Sequence, residues 1–418
     1  MKIQDLLHQA RQLLDLALKF DQPTDVVLSQ HFRGHRDLGS HDRAVLTATV
    51  YNILRKKPLF EHLAATHERS VLLRRLVLLG WKGDAEKLKP ALKPDEVEWF
   101  EQAQQVDPQT LPEVLRHNLP DWLVEPLKTQ LGEEFWLFVE SINQPAPLDL
   151  RVNVLKLKRD QVLKQLEQKG FASTATPYSP WGIRLEGKPA LYKDPLYVNG
   201  EIEVQDEGSQ LLALLVEPKR GSNVIDFCAG AGGKTLALGA AMRNTGRLYA
   251  WDISAKRLDA LQPRLTRSGL SNVHTMAMAH ENDARIKRLY GKADRVLVDA
   301  PCSGLGTLRR SPELKWRQTP ETVQAFTEQQ FSILESASRL LKSKGRLVYA
   351  TCSLLPQENE EIAQRFNDLH KDFKPVPVRD ILEGQGVAAS HLVQGDYLRL
   401  WPQRHQTDGF FAAVWEKV

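Results

Sequence analysis

Apolar positions recur at helical spacing through the first part of the chain. Ile3, Leu6, Leu7, Ala10, Leu13, Leu14 and Ala17 fall on one face of a helix. Val45, Leu46, Ala48, Val50, Tyr51, Ile53 and Leu54 form a second stripe behind Ser40, which is placed to cap it. A third runs from Ser70 to Leu79 and stops at Gly80. Residues 81–112 are rich in acid and broken by Pro90, Pro94, Pro108 and Pro112, and read as a connecting region. Two more helices are predicted at 121–131 and 133–143, with Pro145 and Pro147 ending that stretch.

The pattern changes after residue 147. Leu148-Asp149-Leu150-Arg151-Val152-Asn153 alternates like a strand, a helix follows from Arg159 to Gly170, and short strands are expected near Ile183–Leu185 and Leu196–Val198. From Asn223 onward, strand and helix patterns alternate about every 20–30 residues. The runs RVLV from Arg295 and RLVY from Arg346 are apolar after their leading arginine, as expected of strands covered on both faces. The predicted fold class is α/β: a doubly wound, mostly parallel sheet at 221–418, a small α+β module at 146–220, and an all-α domain with its acidic connector at 1–145.

Composition adds little until it is divided along the chain. The 418 residues carry a net charge of +4, and 26% of them are charged. Residues 1–90 hold 15 Lys/Arg against 10 Asp/Glu, residues 91–150 hold 3 against 12, and residues 151–418 hold 38 against 30. A phosphate backbone would avoid the middle segment and prefer its flanks. No apolar run approaches membrane-spanning length and no secretory leader pattern is seen, so a cytoplasmic protein is expected, with no membrane partner. The three cysteines show no CxxC spacing, so neither a zinc site nor a disulfide framework is expected.

All three cysteines follow predicted strands. Cys302 lies in Asp299-Ala300-Pro301-Cys302-Ser303, and Cys352 in Ala350-Thr351-Cys352-Ser353. Ligands of open α/β sheets bind at the carboxyl ends of strands. Two thiols on that rim point to nucleophilic chemistry on an electrophilic substrate. Cys228 opens the loop Cys228-Ala229-Gly230-Ala231-Gly232-Gly233-Lys234-Thr235. A phosphate-cradling GxxxxGK[ST] loop would need Gly where Cys228 stands, and a dinucleotide fingerprint would need Gly where Thr235 stands. Both nucleotide readings fail, which weakens an NTPase. A strand, a glycine turn and a helix remain. Asp252 ends the next strand, where an acid suits a ribose diol. Asp283 is placed to reach an adenine amino group, with Glu281 as a rival. With no phosphates to cradle, the set fits S-adenosylmethionine. The expected cofactor residues are Cys228, Ala229, Gly230, Gly232, Gly233, Lys234, Asp252, Arg257, Asp283 and Asp299.

These motifs, with Leu150-Arg151-Val152-Asn153 and Val204-Gln205-Asp206-Glu207-Gly208-Ser209-Gln210, resemble the Nol/Nop/Sun RNA cytosine-5 methyltransferases over about residues 148–418. The likeness is to the bacterial 16S ribosomal RNA members, and the N-terminal helices are loosely similar to their NusB-like RNA-binding module. This chain has Ala231 where a Pro is commoner. The resemblance implies that Cys352 is the nucleophile, adding to cytosine C6, and that Cys302 serves product release. It also implies that Asp299 supplies a proton or hydrogen bond at N3, for which its pKa must rise, and that Lys234 favours the thiolate. Ser353 and Pro356 are expected to start a helix whose N-terminus helps hold an anion. Arg151, Asn153, Arg309 and Arg310 are expected to contact substrate. The implied partner is ribosomal RNA, with transfer RNA as the alternative, and a monomer is expected. A non-catalytic ribosome-assembly factor on the same fold is the competing reading.

Overall fold

The computed structural model describes residues 1–187 and 189–418. The chain folds into two compact units: 1–145 together with 308–319, and 146–307 together with 320–418.

The first unit is helical. Helices Ile3–Ala17, Ser40–Arg55 and Arg69–Gly80 bury the predicted stripes against one another, with Leu13, Leu14, Leu46, Ile53 and Leu76 fully enclosed. Gly80 is needed there for space, because a Cβ would stand 2.2 Å from Ile53 Cγ1. Three details differ from expectation. Ser40 is the first helical residue rather than the cap; Gly39 holds the cap position, with no side-chain cap bond. The supposed connector contains a helix, Pro94–Gln105. Pro94 sits in its first turn, where a missing N–H costs nothing, and Glu96 is buried against Arg74. Third, a segment 308–319 from the far half of the sequence completes this unit. Trp316 Nε1 donates to Leu54 O at 2.8 Å, Lys315 Nζ donates to Arg55 O at 2.8 Å, and Arg55 returns a bond to Arg309 O at 2.8 Å.

The second unit holds two sheets. The smaller is antiparallel, in the order β2–β3–β1–β4, from β1 (Leu148–Val152), β2 (Ser173–Ala175), β3 (Gly182–Leu185) and β4 (Ile202–Val204). Helix Arg159–Gln168 covers it through Val162 and Leu166. The expected strand at Leu196–Val198 is instead a helical turn, Pro195–Val198, opened by Asp194, whose side chain accepts from Leu196 N.

The larger sheet has nine strands: β5 (Asn223–Asp226), β6 (Arg247–Asp252), β7 (Val273–Ala277), β8 (Ala293–Asp299), β9 (Leu341–Thr351), β10 (Phe373–Pro375), β11 (Val393–Gln394), β12 (Tyr397–Leu400) and β13 (Phe410–Lys417). Their order is β11–β12–β13–β9–β8–β5–β6–β7, with β10 paired to β13. The run from β9 to β7 is parallel, and β13 joins β9 antiparallel. Alternate residues serve opposite faces. Val224, Leu297 and Val348 pack with helices Glu207–Val216 and Gly233–Ala241, while Ile225, Val296, Val298 and Tyr349 pack with Phe331, Leu334 and Phe366. Burial on both faces explains the unbroken apolar runs. The strand order reverses between β5 and β8, so the crevice expected of a doubly wound sheet opens there.

Candidate active site

A cavity of about 750 Å³ lies in the second unit at the carboxyl ends of β5, β6, β8 and β9. That volume suits a cofactor of small-molecule size. Each strand contributes through the loop that follows it.

After β5 comes the glycine turn. Gly230 and Gly232 have φ of +55° and +83°, a region that costs a side chain energy. A Cβ at Gly232 would meet Leu261 Cδ1 at 2.1 Å, whereas one at Gly230 would project into open space along the cavity wall. Two arginines hold the outward carbonyls of the turn: Arg151 donates to Gly233 O at 2.6 Å and Arg264 to Ala231 O at 2.5 Å. Beneath the turn Asp226 is fully buried and accepts from Thr235 Oγ1 at 2.7 Å, and burial pushes its pKa up to about 7. Cys228, Ala229, Gly230, Gly233 and Lys234 line the cavity, and Gly232 supports it from behind.

β6 delivers Asp252. One carboxylate oxygen accepts from Gly230 N and the other from Ser254 N, both at 2.8 Å. Ser254, not Asp252, caps the following helix, Ala255–Ser268. Asp252 is thus oriented by two backbone donors while each oxygen keeps a lone pair. Arg257 and Ile253 stand beside it on the wall. Asp283 does not reach the cavity. It caps the turn Ala284–Leu289, accepts from Ala279 N at 3.0 Å and pairs with Arg285 at 2.6 Å, which together hold its carboxyl well below the usual range. Its rival Glu281 does line the wall, with Ser332 donating to it at 2.6 Å.

β8 and β9 pair Asp299 with Ala350, so the loops that follow them leave the sheet side by side. That register brings the two reactive-thiol candidates together, with Cys302 Sγ 3.3 Å from Cys352 Sγ. The contact with Cys352, and then burial, raises the Cys302 pKa well above that of an ordinary thiol. Burial does the same to Cys228. Lys234 Nζ donates to Asp299 Oδ2 at 2.6 Å. Burial opposes the Lys234 charge, but Asp299 and then Cys352 outweigh it, so its pKa lies above the ordinary lysine value.

The remaining predicted residues sit elsewhere. Arg151 and Asn153 are buried braces: Arg151 also bonds Gln205, and Asn153 bonds Gly200 O and Ser268 O at 2.9 and 3.1 Å. Arg309 and Arg310 belong to the helical unit, where Arg309 is only 6% exposed. Ser353 does not start a helix. A turn at Pro356–Glu358 follows, and the helix begins at Glu360 because Ser353 is hydrogen-bonded to Glu358 and Asn359 leaves the helical path at φ −119°, ψ −97°. Sequence reasoning missed Gln205, Arg264, Phe326, Gln329 and Ile333 on the wall. Among these, Gln205 lies within the Val204–Gln210 motif, whereas Phe326, Gln329 and Ile333 share one face of helix Pro320–Ser338 that reads from the sequence as ordinary amphipathic surface. Among the described residues no cluster of His, Cys, Asp or Glu could hold a metal, and no helix is long and apolar enough to cross a membrane.

A Rossmann-like sheet with a glycine turn after its central strand, an acid at the end of the next, and no phosphate loop defines a class I methyltransferase, with S-adenosylmethionine as cofactor. Comparison with known proteins narrows this. The profile described as "16S rRNA methyltransferase RsmB/F" matches residues 213–416, and that of the RsmF/B-like ferredoxin-like domain matches 119–191. The "Probable ribosomal RNA small subunit methyltransferase B" of Synechocystis sp. is 36% identical over 313 residues, covering 72% of this chain and 68% of that protein. The "Ribosomal RNA small subunit methyltransferase B" of Proteus mirabilis is 32% identical, covering 72% and 66%. The matched region thus spans about two thirds of these relatives' length. The crystal structure of PH0851 superposes with a TM-score of 0.80 at 27% identity over 99% of both chains. A methyltransferase homolog from Pyrococcus horikoshii gives 0.64 at 30% identity, over 75% of this chain and all of that one. The chain belongs to the RsmB/F family of 16S rRNA methyltransferases.

Proposed function

We propose that this chain methylates C5 of a cytosine in small-subunit ribosomal RNA, through a covalent bond between Cys352 Sγ and cytosine C6. The observation that carries this reading is the pair of thiols 3.3 Å apart on adjacent strand ends, in the cavity that also holds Asp252 and the Lys234–Asp299 pair. The names of the relatives point to ribosomal RNA.

The donor set fits the cofactor. Gly230 leaves room for close backbone approach, Asp252 keeps lone pairs free for the ribose hydroxyls, and Ile253 and Met278 offer an apolar wall for the base. When bound, S-adenosylmethionine supplies an electrophilic methyl group. The chain's task is to make C5 nucleophilic. Addition of the Cys352 thiolate to C6 moves the C5=C6 electron pair onto C5. Lys234, whose charge interacts with Cys352, is the cation assigned to that sulfur. Paired with Lys234, Asp299 is read here as an acceptor rather than the donor that the resemblance implies. A carboxylate bonded to Lys234 accepts rather than donates, which suits the exocyclic amine of cytosine, and Lys234 is the donor available to N3. Afterwards the C5 proton leaves to solvent, its electron pair re-forms C5=C6, and Cys352 departs as a thiolate. Cys302, held as a thiol by its raised pKa, donates its S–H to the departing sulfur. The base must leave its stack to be attacked, which favours single-stranded or loop RNA.

Bisulfite sequencing of small-subunit RNA tests the assignment. A strain lacking the gene should lose one protected cytosine, and the intact gene should restore it, whereas a Cys352→Ala copy should not. Unchanged protection in the deletion strain would overturn it.

A further inference from the structure

Each candidate thiol is followed by a serine, and the two serines converge on one carboxylate. Ser303, Ser353 and Glu358 are fully enclosed. Glu358 accepts from Ser303 N at 2.8 Å and from Ser303 Oγ at 2.5 Å, and Ser353 Oγ donates to the same group. The two hydroxyls lie 3.2 Å apart. Gln330, from helix Pro320–Ser338, donates to Glu358 Oε1 and to Pro301 O, both at 3.0 Å. The residue before Cys302 and the residues after both cysteines are therefore tied to one anion. Asn359 reinforces the second loop, donating to Ser353 O at 3.1 Å and bonding the Thr351 hydroxyl. Glu358 takes no part in the cavity wall. Burying a carboxylate is costly unless donors surround it, and here four donors from Ser303, Ser353 and Gln330 do so. What the carboxylate adds is a side-chain tie, next to both sulfurs, between two loops that also share the backbone bond from Gly306 N to Cys352 O at 2.8 Å.

We propose that Glu358 is the positioning residue that sets the separation and direction of the Cys302 and Cys352 sulfurs, a role that rests on the two-thiol reading above. It touches neither substrate nor cofactor and acts through Ser303 and Ser353. Misplacement of a reacting atom by about 1 Å costs roughly 100-fold in rate, so the effect belongs in kcat.

The test uses the full chain with Glu358→Gln, which keeps the shape but replaces one acceptor oxygen with a donor facing donors. Two readouts are followed. One is methyl transfer, where kcat should fall by about 10–100-fold while the S-adenosylmethionine dissociation constant stays within about twofold. The other is closure of the Cys302–Cys352 disulfide by diamide, which takes up the two thiol hydrogens and is reduced to the hydrazine. Loss of both free thiols should slow by a comparable factor. This readout needs no methyl transfer: slowed closure alongside a wild type that makes no methylated RNA would sink the function and leave the positioning role standing. A folded Glu358→Gln chain with both rates unchanged overturns the proposal, and so does a fall in kcat with unchanged closure. If Glu358→Gln does not fold, Ser303→Ala and Ser353→Ala decide. Each should slow closure, and the double variant should cost less than the two singles combined, because both act through one acceptor. Closure at the wild-type rate in both single variants overturns the proposal.

Discussion

A thiol that attacks and a thiol that helps it leave need opposite surroundings. Cys352 lies near the Lys234 cation, while Cys302 is driven toward its protonated form by contact with its neighbour and by burial. Replacing Cys352 with Ala should abolish methyl transfer and leave cofactor affinity near wild type, read by single-turnover assay and calorimetry. Retained turnover there, with loss in Cys302→Ala, would reverse the two roles. Asp252 is the residue to probe on the cofactor side. Its orientation depends on Gly230 N and Ser254 N, so Asp252→Ala removes the proposed ribose acceptor and a brace for the turn. We expect S-adenosylmethionine binding to weaken by about 1–3 kcal/mol, the usual cost of leaving such a partner unpaired. An unchanged dissociation constant would remove Asp252 from the ribose assignment.

At the scale of elements, the segment 308–319 carries the least expected feature. Lys315 is buried in the helical unit with its ammonium on Arg55 O; burial, and then the Arg55 charge, lower its pKa from 10.5 to about 7. A lysine whose folded pKa lies below its unfolded value favours the fold most above the unfolded pKa, where it is a neutral amine in both states. That contribution is lost as pH falls toward and through the folded pKa, because the unfolded chain takes up the proton first. Stability of the helical unit should therefore decline between about pH 10.5 and about pH 7. Lys315→Met should flatten that decline, as followed by hydrogen exchange of the Ser40–Arg55 amides. An identical pH profile in the variant would contradict the buried-amine account. The same scale shows what was legible in the sequence. Parallel strands buried on both faces announce themselves by apolar runs, so RVLV and RLVY lie within β8 and β9, with the thiol loops after them. Helix Pro94–Gln105 was hidden because proline there reads as a breaker unless its first-turn position is recognised. Asp283 caps a turn and pairs with Arg285, a place that an acid after a strand shares in sequence with one that faces a ligand. Arg309 and Arg310 stand only a few residues after Cys302 in the chain, and proximity in sequence said nothing about which unit they complete.

For the whole molecule, the chain passes out of the second unit after Thr307 and returns to it at Pro320, and residues 308–319 complete the helical unit. Truncating residues 1–90 would strip Leu54 O and Arg55 O from Trp316 and Lys315, and so would not be a clean test of RNA binding. Exposed charges are a better probe. Lys19, Arg33 and Arg36 are exposed on the helical unit. If they contact phosphate, replacing all three with Gln should lower the slope of log affinity against log salt by about 2, at roughly 0.7 per phosphate on single strands. An equal slope would mean that these residues do not hold RNA.

The covalent intermediate is the central claim, and trapping it tests that claim most directly. Cys302→Ala, incubated with S-adenosylmethionine and small-subunit RNA from a strain lacking the gene, should accumulate an RNA-linked band on a denaturing gel. Mass spectrometry should place the linkage on Cys352, and the band should vanish in the Cys302→Ala/Cys352→Ala double variant. A Cys302→Ala chain that turns over freely with no linked band, or a linkage mapped to any residue other than Cys352, would contradict the account.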